Sequence, residues 1–143
     1  MIANLMLGTL LIGITVVIHT FGLMAVTRAI GMITNWLRLQ GRRSHIVAML
    51  VAVIGVFGVL TVEIWLWAVV YFSLEVVGDF QTSLYFSTAT FATVGYGDIV
   101  ADGHWRLLTS LEGVSGFLLI GWSTAYLVAA GVRVGPFRAG EHF

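Results

Sequence analysis

The chain has 143 residues, of which 59% are hydrophobic and 10% are charged, and its seven arginines balance seven acidic residues. Average soluble domains carry about 25% charged residues, and a chain this short cannot hide so much apolar surface in its own core. The balanced charge excludes nucleic acid as a partner, because phosphate binding requires a basic face. The lack of cysteine excludes disulfides, thiolate catalysis and Cys-ligated zinc. The sequence therefore predicts an integral membrane protein with one domain.

Three long apolar runs each predict a transmembrane helix. The first has no charged residue from Met1 to Thr27 and, as a helix, is about 40 Å long, ample for a hydrocarbon core of about 30 Å. The second run is interrupted only by Glu63 and the third only by Glu112. The predicted organisation is an N-terminal peripheral helix (1–34), a basic connector (35–44), a second helix (45–73), a third helix (105–134) and a short tail (135–143).

A segment of different character lies between the second and third spans. Asp79 is placed to cap a helix over residues 80–92, which is uncharged but too short to cross a bilayer. Glycine-bearing backbone follows in the hexapeptide Thr93-Val-Gly-Tyr-Gly-Asp98. Non-helical backbone at membrane depth is tolerated only where it is buried in protein or lines water. We therefore expect an all-α membrane protein in which a re-entrant helix and loop surround a pore.

The charges of the connecting segments predict the orientation. The connector between the first two spans carries arginines and no acid: Arg28, Arg38, Arg42 and Arg43. The segment before the third span is mostly acidic: Glu75, Asp79, Asp98, Asp102 and Arg106. Because arginine-rich segments stay cytoplasmic, we expect a multi-pass protein of the cell membrane with its N-terminus outside and its C-terminus in the cytoplasm. The re-entrant loop would then enter from outside.

The hexapeptide at 93–98, after a short apolar helix and between two spans, resembles the signature of the potassium-channel pore family. The resemblance covers residues 45–130. It implies a pore domain over 45–134, with an outer helix (45–73), a pore helix (80–92), a filter (93–98) and an inner helix (105–134). The first helix lies outside this pore unit.

The resemblance also implies roles for the residues of the filter. The residues expected to bind K⁺ or line its path are Thr93, Val94, Gly95, Tyr96 and Gly97, the first four through their carbonyl oxygens. The Thr93 hydroxyl would form the innermost ring, and Asp98 would lie at the outer mouth. Tyr96 would point away from the axis and pack against pore-helix aromatics such as Tyr85 and Phe86.

The residues themselves suit this chemistry. A dehydrated K⁺ ion needs oxygen ligands in place of water, and rings of backbone carbonyls can supply them. Aiming successive carbonyls at one axis requires alternating backbone conformations, which Gly95 and Gly97 reach with φ > 0 at little cost. One chain supplies one loop, and closed cyclic symmetry is the ordinary way to complete a ring. The resemblance implies four chains, hence a fourfold homotetramer.

Two positions depart from the family pattern. The family often has a second Thr before the filter, where this chain has Ala92. Some bacterial members have a Glu in the pore helix that braces the filter aspartate, where this chain has Ala89. Fewer hydrogen bonds would then hold the filter from behind. We expect a filter more prone to collapse or inactivation.

The two acids within the spans are candidates for filter support or gating. Intramembrane acids are costly and indicate function by default. We expect Glu63 and Glu112 at the depth of the filter, behind it. Two interpretations stay open: a proton-sensitive brace that controls the filter, or a structural acid bonded to a hydroxyl such as that of Ser87 or Thr88.

The inner helix carries a candidate hinge and cavity lining. Gly116 falls, within one residue, where the family bends its inner helix, although helix packing is an equal explanation for a single glycine. Ile120 and Thr124, one helical turn apart, are the predicted cavity-facing pair.

Some remaining residues have simpler interpretations. His19, alone in the first span, is expected to bond to a neighbouring helix rather than act as a ligand or switch. The aromatic residues near the outer end of the spans predict an interfacial belt of Trp65, Trp67, Trp105 and Tyr71.

The sequence therefore predicts a potassium-selective channel that conducts passively, with membrane lipids around it and no cofactor beyond the permeant K⁺. The alternatives are a weakly selective monovalent cation channel and a non-conducting pore-like membrane subunit. An enzyme is rejected, because Glu63, Glu112, His19 and His104 show neither metal-ligand spacing nor a nucleophile motif.

Overall fold

The computed structural model describes residues 2–37 and 42–134, and every regular element in these ranges is a helix. The helices are α1 (Ile2–Trp36), α2 (Arg42–Ser73), α3 (Phe80–Phe91) and α4 (Arg106–Val134). Two regions of the sequence prediction lie outside the described residues: connector positions 38–41, with Arg38, and the tail 135–143, with Arg138 and Glu141.

Three of the helices, α1, α2 and α4, are long and apolar enough to cross a membrane. The shortest of them, α4, has 29 residues, against the roughly 20 that a hydrocarbon core requires. With only 12 residues, α3 is too short to cross. The chain is therefore a multi-pass membrane protein in which a short helix lies between the second and third spans.

The first helix, α1, packs along both α2 and α4. Its buried residues recur every three or four positions and so lie on one face: Asn4, Gly8, Leu11, Thr15, His19, Leu23, Val26 and Ile30. The approach to α2 is close in both directions. A Cβ atom on Gly22 would lie 2.6 Å from a methyl carbon of Val59, and one on Gly55 would lie 2.7 Å from a methyl carbon of Val26. Small residues of this kind allow helices to pack closely in lipid.

A tight turn joins α2 to α3. The Val76 N–H donates to the Tyr71 carbonyl at 3.0 Å, and Glu75, between them, has a left-handed φ of 52°. The predicted cap of α3 is confirmed, because the Asp79 carboxylate accepts a hydrogen bond from the Thr82 N–H at 3.0 Å. This bond holds the pKa of Asp79 below its ordinary value.

The main apolar core lies where α3 packs between α2 and α4. Its largest fully buried side chains are Trp67, Tyr71, Phe91, Leu108 and Leu119. The predicted interfacial belt is therefore wrong for Trp67 and Tyr71, because both face this core and have no exposed surface. Trp65, on another face of α2, is 49% exposed.

Candidate functional site

Residues 93–98, called here the 93–98 loop, follow the C-terminal end of α3 and are anchored to it by backbone hydrogen bonds. The Ala89 carbonyl accepts from the N–H groups of both Val94, at 2.9 Å, and Gly95, at 3.1 Å. The Thr93 N–H donates to the Thr90 carbonyl at 3.0 Å. Ala89 thus supports the loop through its main chain, although its side chain offers no hydrogen bond.

Left-handed backbone recurs at every second residue of the loop. The φ angles are 58° at Thr93, 52° at Gly95 and 77° at Gly97. Glycine adopts such angles readily, whereas a residue with a branched Cβ does so at a cost of about 1–3 kcal/mol. Sequence analysis predicted the two glycines and missed Thr93, because nothing in a threonine signals a positive φ.

The whole 93–98 loop is exposed within a single chain. Tyr96, the largest of its side chains, is 72% exposed. The predicted packing of Tyr96 on Tyr85 and Phe86 is absent inside the described chain. Phe86 instead packs against Tyr71 of α2, with ring centroids 5.5 Å apart.

The far end of the loop is tied to the middle of α3. The Tyr85 hydroxyl donates to a carboxylate oxygen of Asp98 at 2.7 Å. This bond raises the pKa of the Tyr85 phenol, because ionisation would place two negative charges side by side. The loop is therefore held at one end by the Ala89 carbonyl and at the other by the Tyr85 side chain.

Behind α3, Glu112 of α4 is fully buried and accepts two hydrogen bonds from hydroxyls. Ser87 of α3 donates to one carboxylate oxygen and Tyr71 of α2 to the other, both at 2.5 Å. Ser87 also lies 3.0 Å from the Ile64 carbonyl. One carboxyl group therefore connects α2, α3 and α4. Sequence analysis named Ser87 as a possible partner but missed Tyr71, which it had assigned to the membrane interface.

One turn further along α4, Gly116 lies directly against the last residue of α3. A Cβ atom at Gly116 would overlap the Phe91 carbonyl, lying 2.7 Å from its carbon and 2.9 Å from the Phe91 Cα. Such distances to backbone atoms are not reached by real Cβ atoms. Close helix packing, one of the two interpretations of Gly116, therefore has a specific cause in the structure.

A family model described as an ion channel matches residues 59–133, which is just over half of the chain. The chain belongs to this ion-channel family. The match begins in the second half of α2 and runs through α3, the 93–98 loop and nearly all of α4. Membership points to a channel rather than an enzyme. Searches of curated proteins and of solved structures found no match.

The second intramembrane acid of the channel, Glu63, pairs with α1 rather than with α3. Its Oε1 lies 3.0 Å from His19 Nδ1, and both side chains are fully buried. His19 thus bonds to a neighbouring helix, as predicted. Glu63 immediately precedes Ile64, whose carbonyl is near Ser87, so the two acid clusters are neighbours along α2.

Ile120 and Thr124, the predicted cavity-facing pair on α4, differ in their surroundings within the single chain. Ile120 is half-buried beside Phe91 and Ala92, at the C-terminal end of α3. Thr124 is exposed, and its hydroxyl donates to the Ile120 carbonyl at 2.9 Å. Ile120 therefore lies next to the end of α3, and Thr124 lies one turn beyond it.

Proposed function

We propose that the channel is potassium-selective and that four copies of the chain surround one axis and conduct K⁺ passively. The observation that carries this proposal is the left-handed backbone at alternate residues of the 93–98 loop, Thr93, Gly95 and Gly97. Such alternation turns successive carbonyls towards one side of the backbone. A ring of these loops would offer stacked oxygens in place of the hydration shell of the ion.

The proposed ion ligands are the backbone carbonyls of the loop. The residues that line the path are Thr93, Val94, Gly95, Tyr96 and Gly97, and the Thr93 hydroxyl forms the innermost ring. Asp98 lies at the outer mouth, where its negative charge concentrates cations. The C-terminal end of α3 carries a partial negative charge and faces the ion that enters the central cavity.

The exposure of the loop supports assembly into a tetramer. Six consecutive residues, 93–98, are exposed in a single chain, including the aromatic ring of Tyr96. Each chain has one such loop, and a closed ring of carbonyls needs several. Resemblance to the potassium-channel pore family implies four, and Tyr96 would then pack against a neighbouring copy.

The proposed orientation places the N-terminus outside and the C-terminus in the cytoplasm of a cell whose plasma membrane holds the channel. The spans α1 and α4 run in one direction and α2 runs in the other. The end of α1, the start of α2 and the end of α4 therefore lie on one side, together with Arg28, Arg43 and Arg133. Arginine-rich ends stay cytoplasmic. In this orientation α3 and the 93–98 loop re-enter from outside.

In this proposal Glu112 supports the filter without touching the ion. Its bonds to Ser87 and Tyr71 fix α3 against α2 and α4, and the contact of Gly116 with Phe91 fixes the end of α3. These contacts determine where the Ala89 carbonyl, and hence the 93–98 loop, is placed.

A weakly selective cation channel is the second candidate, and one observation favours it. The alanine side chains at 89 and 92 give the loop no hydrogen bond from behind. In the described residues its side-chain support comes from Tyr85 bonded to Asp98. A loosely held ring of carbonyls would distinguish less sharply between K⁺ and the smaller Na⁺.

Flux from liposomes that contain the purified full-length chain tests the proposal. We expect K⁺ efflux that Ba²⁺ blocks and that clearly exceeds Na⁺ efflux. Gly95→Ala should abolish it, because left-handed backbone costs an L-residue roughly 1–2 kcal/mol in each chain. Gly103→Ala is the matched control, since a Cβ there meets nothing within 4 Å. Equal K⁺ and Na⁺ flux would favour weak selectivity, and no flux of either ion would refute conduction.

A further inference from the structure

A buried acid–base pair joins the three spanning helices at a distance from the 93–98 loop. His19 of α1 lies 3.0 Å from Glu63 of α2, and neither side chain has exposed surface. On the other side of the ring, His19 Nε2 lies 3.5 Å from the Ser123 hydroxyl of α4. The proposed conduction path uses neither group. Buried ionisable groups in a membrane are costly, and their presence indicates a function.

The chemistry of the pair favours a single shared proton. With one proton in all, the pair is neutral overall, whether it exists as imidazole with carboxylic acid or as imidazolium with carboxylate. Removing that proton leaves a net negative charge, and adding another leaves a net positive charge. Either change leaves an uncompensated charge buried in a medium of low dielectric constant, which is unfavourable. The pair is therefore a site at which proton binding has structural consequences.

Two neighbouring groups make a second proton acceptable. Glu63 Oε2 is buried without a hydrogen-bond partner in the described residues, so this oxygen is free to take up a proton. The Trp122 ring of α4 lies beside His19, with ring centroids 5.2 Å apart and an interplanar angle of 46°. An indole ring attracts a cation placed over its face within about 6 Å of its centroid, and the His19 ring lies within that distance.

We propose that His19 and Glu63 form a proton-binding site through which α1 controls the position of α4. A neutral His19 that donates from Nδ1 to Glu63 accepts at Nε2 from the Ser123 hydroxyl. An imidazolium donates from both nitrogens, so Ser123 must accept and turn its own proton to another acceptor, such as a carbonyl of α4 one turn back. The proton comes from water and returns to it, and no other bond forms or breaks.

The site is linked to the proposed pore by the geometry of α4. Ser123 lies seven residues after Gly116 and so shares its face, two turns further on. Gly116 contacts the end of α3, and Thr124 follows Ser123 directly. A change at Ser123 therefore acts on the helix that holds the 93–98 loop. This inference rests on the proposed function, because its effect on flux requires a conducting pore.

Other titratable groups in the spanning interior lie further from His19. On α2, Tyr71 lies two turns beyond Glu63 and bonds to Glu112 instead. On α4, Glu112 lies eleven residues before Ser123, about 16 Å along the axis. Tyr126 lies towards the other end of α4 and bonds to Thr27 at 2.9 Å. Within the described residues, α3 does not pack against α1. Of these groups, Glu63 is therefore the one in direct contact with the His19 ring.

Flux at two pH values tests the site. We expect K⁺ efflux from liposomes to differ about fivefold between about pH 5 and about pH 8, a typical size for allosteric coupling in the range where histidine titrates. His19→Gln and Glu63→Gln should each remove the difference, whereas the control His104→Gln should retain it. His19→Glu combined with Glu63→His restores the pair and should restore the response. A pH response unchanged in both single variants, or a wild-type K⁺ flux that is the same at both pH values, would overturn the proposal.

A second measurement separates this proposal from conduction itself. Nitrogen-15 spectra of labelled histidine in the full-length chain in lipid nanodiscs report the protonation of His19 without any flux. We expect His19 to change protonation between about pH 5 and about pH 8 and Glu63→Gln to displace that change. This result would support the proton site even if the liposomes conducted no K⁺, in which case only the proposed function would fail. A His19 signal indifferent to Glu63→Gln would overturn the site.

Discussion

The Phe91 carbonyl of α3 occupies the space beside Gly116 of α4 that the Cβ atom of any other residue would fill. Phe91 is the last residue of α3 and is almost completely buried. Thr93, the first residue of the 93–98 loop, follows two positions later. The contact between Gly116 and Phe91, which only glycine permits, therefore fixes the position of the 93–98 loop relative to α4.

Gly116→Ala is expected to destabilise the protein and to suppress ion flux. The added methyl group must displace the backbone of α3, and overpacking of this kind typically costs 1–3 kcal/mol. Thermal unfolding in detergent and liposome flux measure the two effects. Gly121→Ala on the same helix is the control, because a Cβ there meets nothing within 4 Å. Equal unfolding temperatures and equal fluxes in the two variants would mean that neither stability nor conduction depends on the contact with Phe91.

Tyr71→Phe is expected to destabilise the protein by about 1–3 kcal/mol, because it leaves one buried oxygen of Glu112 without its donor. Glu112→Gln should lower the free energy of unfolding much less in the Tyr71→Phe background than in the wild type. A double-mutant cycle from detergent unfolding measures this coupling. Tyr126→Phe, which removes a hydroxyl bonded to Thr27 at the exposed surface, is the matched control and should change stability little. Additive effects of Tyr71→Phe and Glu112→Gln would show that the hydroxyl and carboxyl groups act independently.

If the proposed function holds, Tyr85→Phe is expected to lower the ratio of K⁺ to Na⁺ flux without changing the oligomeric state. The variant removes the donor that ties Asp98 to α3 and keeps the aromatic ring. Bi-ionic reversal potentials measure the ratio, and size-exclusion chromatography monitors assembly. Thr88→Val serves as the comparison, because it removes an exposed hydroxyl of α3 whose hydrogen bond among the described residues is to the Leu84 carbonyl of the same helix. A ratio reduced equally by both variants would argue against a specific role for the Tyr85–Asp98 bond.

Acid should weaken α3 through its cap. The lowered pKa of Asp79 means that the ionised carboxylate favours the folded state. This contribution is complete above the ordinary pKa of an aspartate and is lost as pH falls through the lowered value in the folded chain. The protection factor of the Thr82 amide, which compares its exchange rate with that of an unstructured amide at the same pH, should therefore fall as the pH is lowered from neutral. Asp79→Asn retains a capping side chain that does not titrate, so the protection of the Thr82 amide should no longer depend on pH in this way. The control Asp102→Asn should keep the pH dependence of the wild type.

The spans and the short helix were predictable because they depend on local properties of the chain. Uncharged runs long enough to cross hydrocarbon predict the three spanning helices, and Asp79 before a short apolar segment predicts α3. The glycine spacing at 95 and 97 predicts positive φ angles, which the structure has. These features need no knowledge of which helix packs against which.

The contacts that hold the loop could not be predicted in the same way. All faces of α2 are apolar, so the sequence does not reveal that Trp67 and Tyr71 face the core rather than the interface. The pairing of His19 with Glu63 depends on how α1 packs on α2, 44 positions away in sequence. The positive φ of Thr93 depends on the hydrogen bonds that the loop makes to α3. Each is a tertiary effect.

The pairing of His19 with Glu63 also limits how far the channel can be shortened. Removing α1 would keep every residue that matches the ion-channel family, from 59 to 133. It would also leave the Glu63 carboxyl group on a surface turned to lipid tails, with no imidazole beside it. Such a truncated pore would carry an uncompensated polar group in hydrocarbon. We therefore expect a chain that retains the first helix to be more stable than one without it.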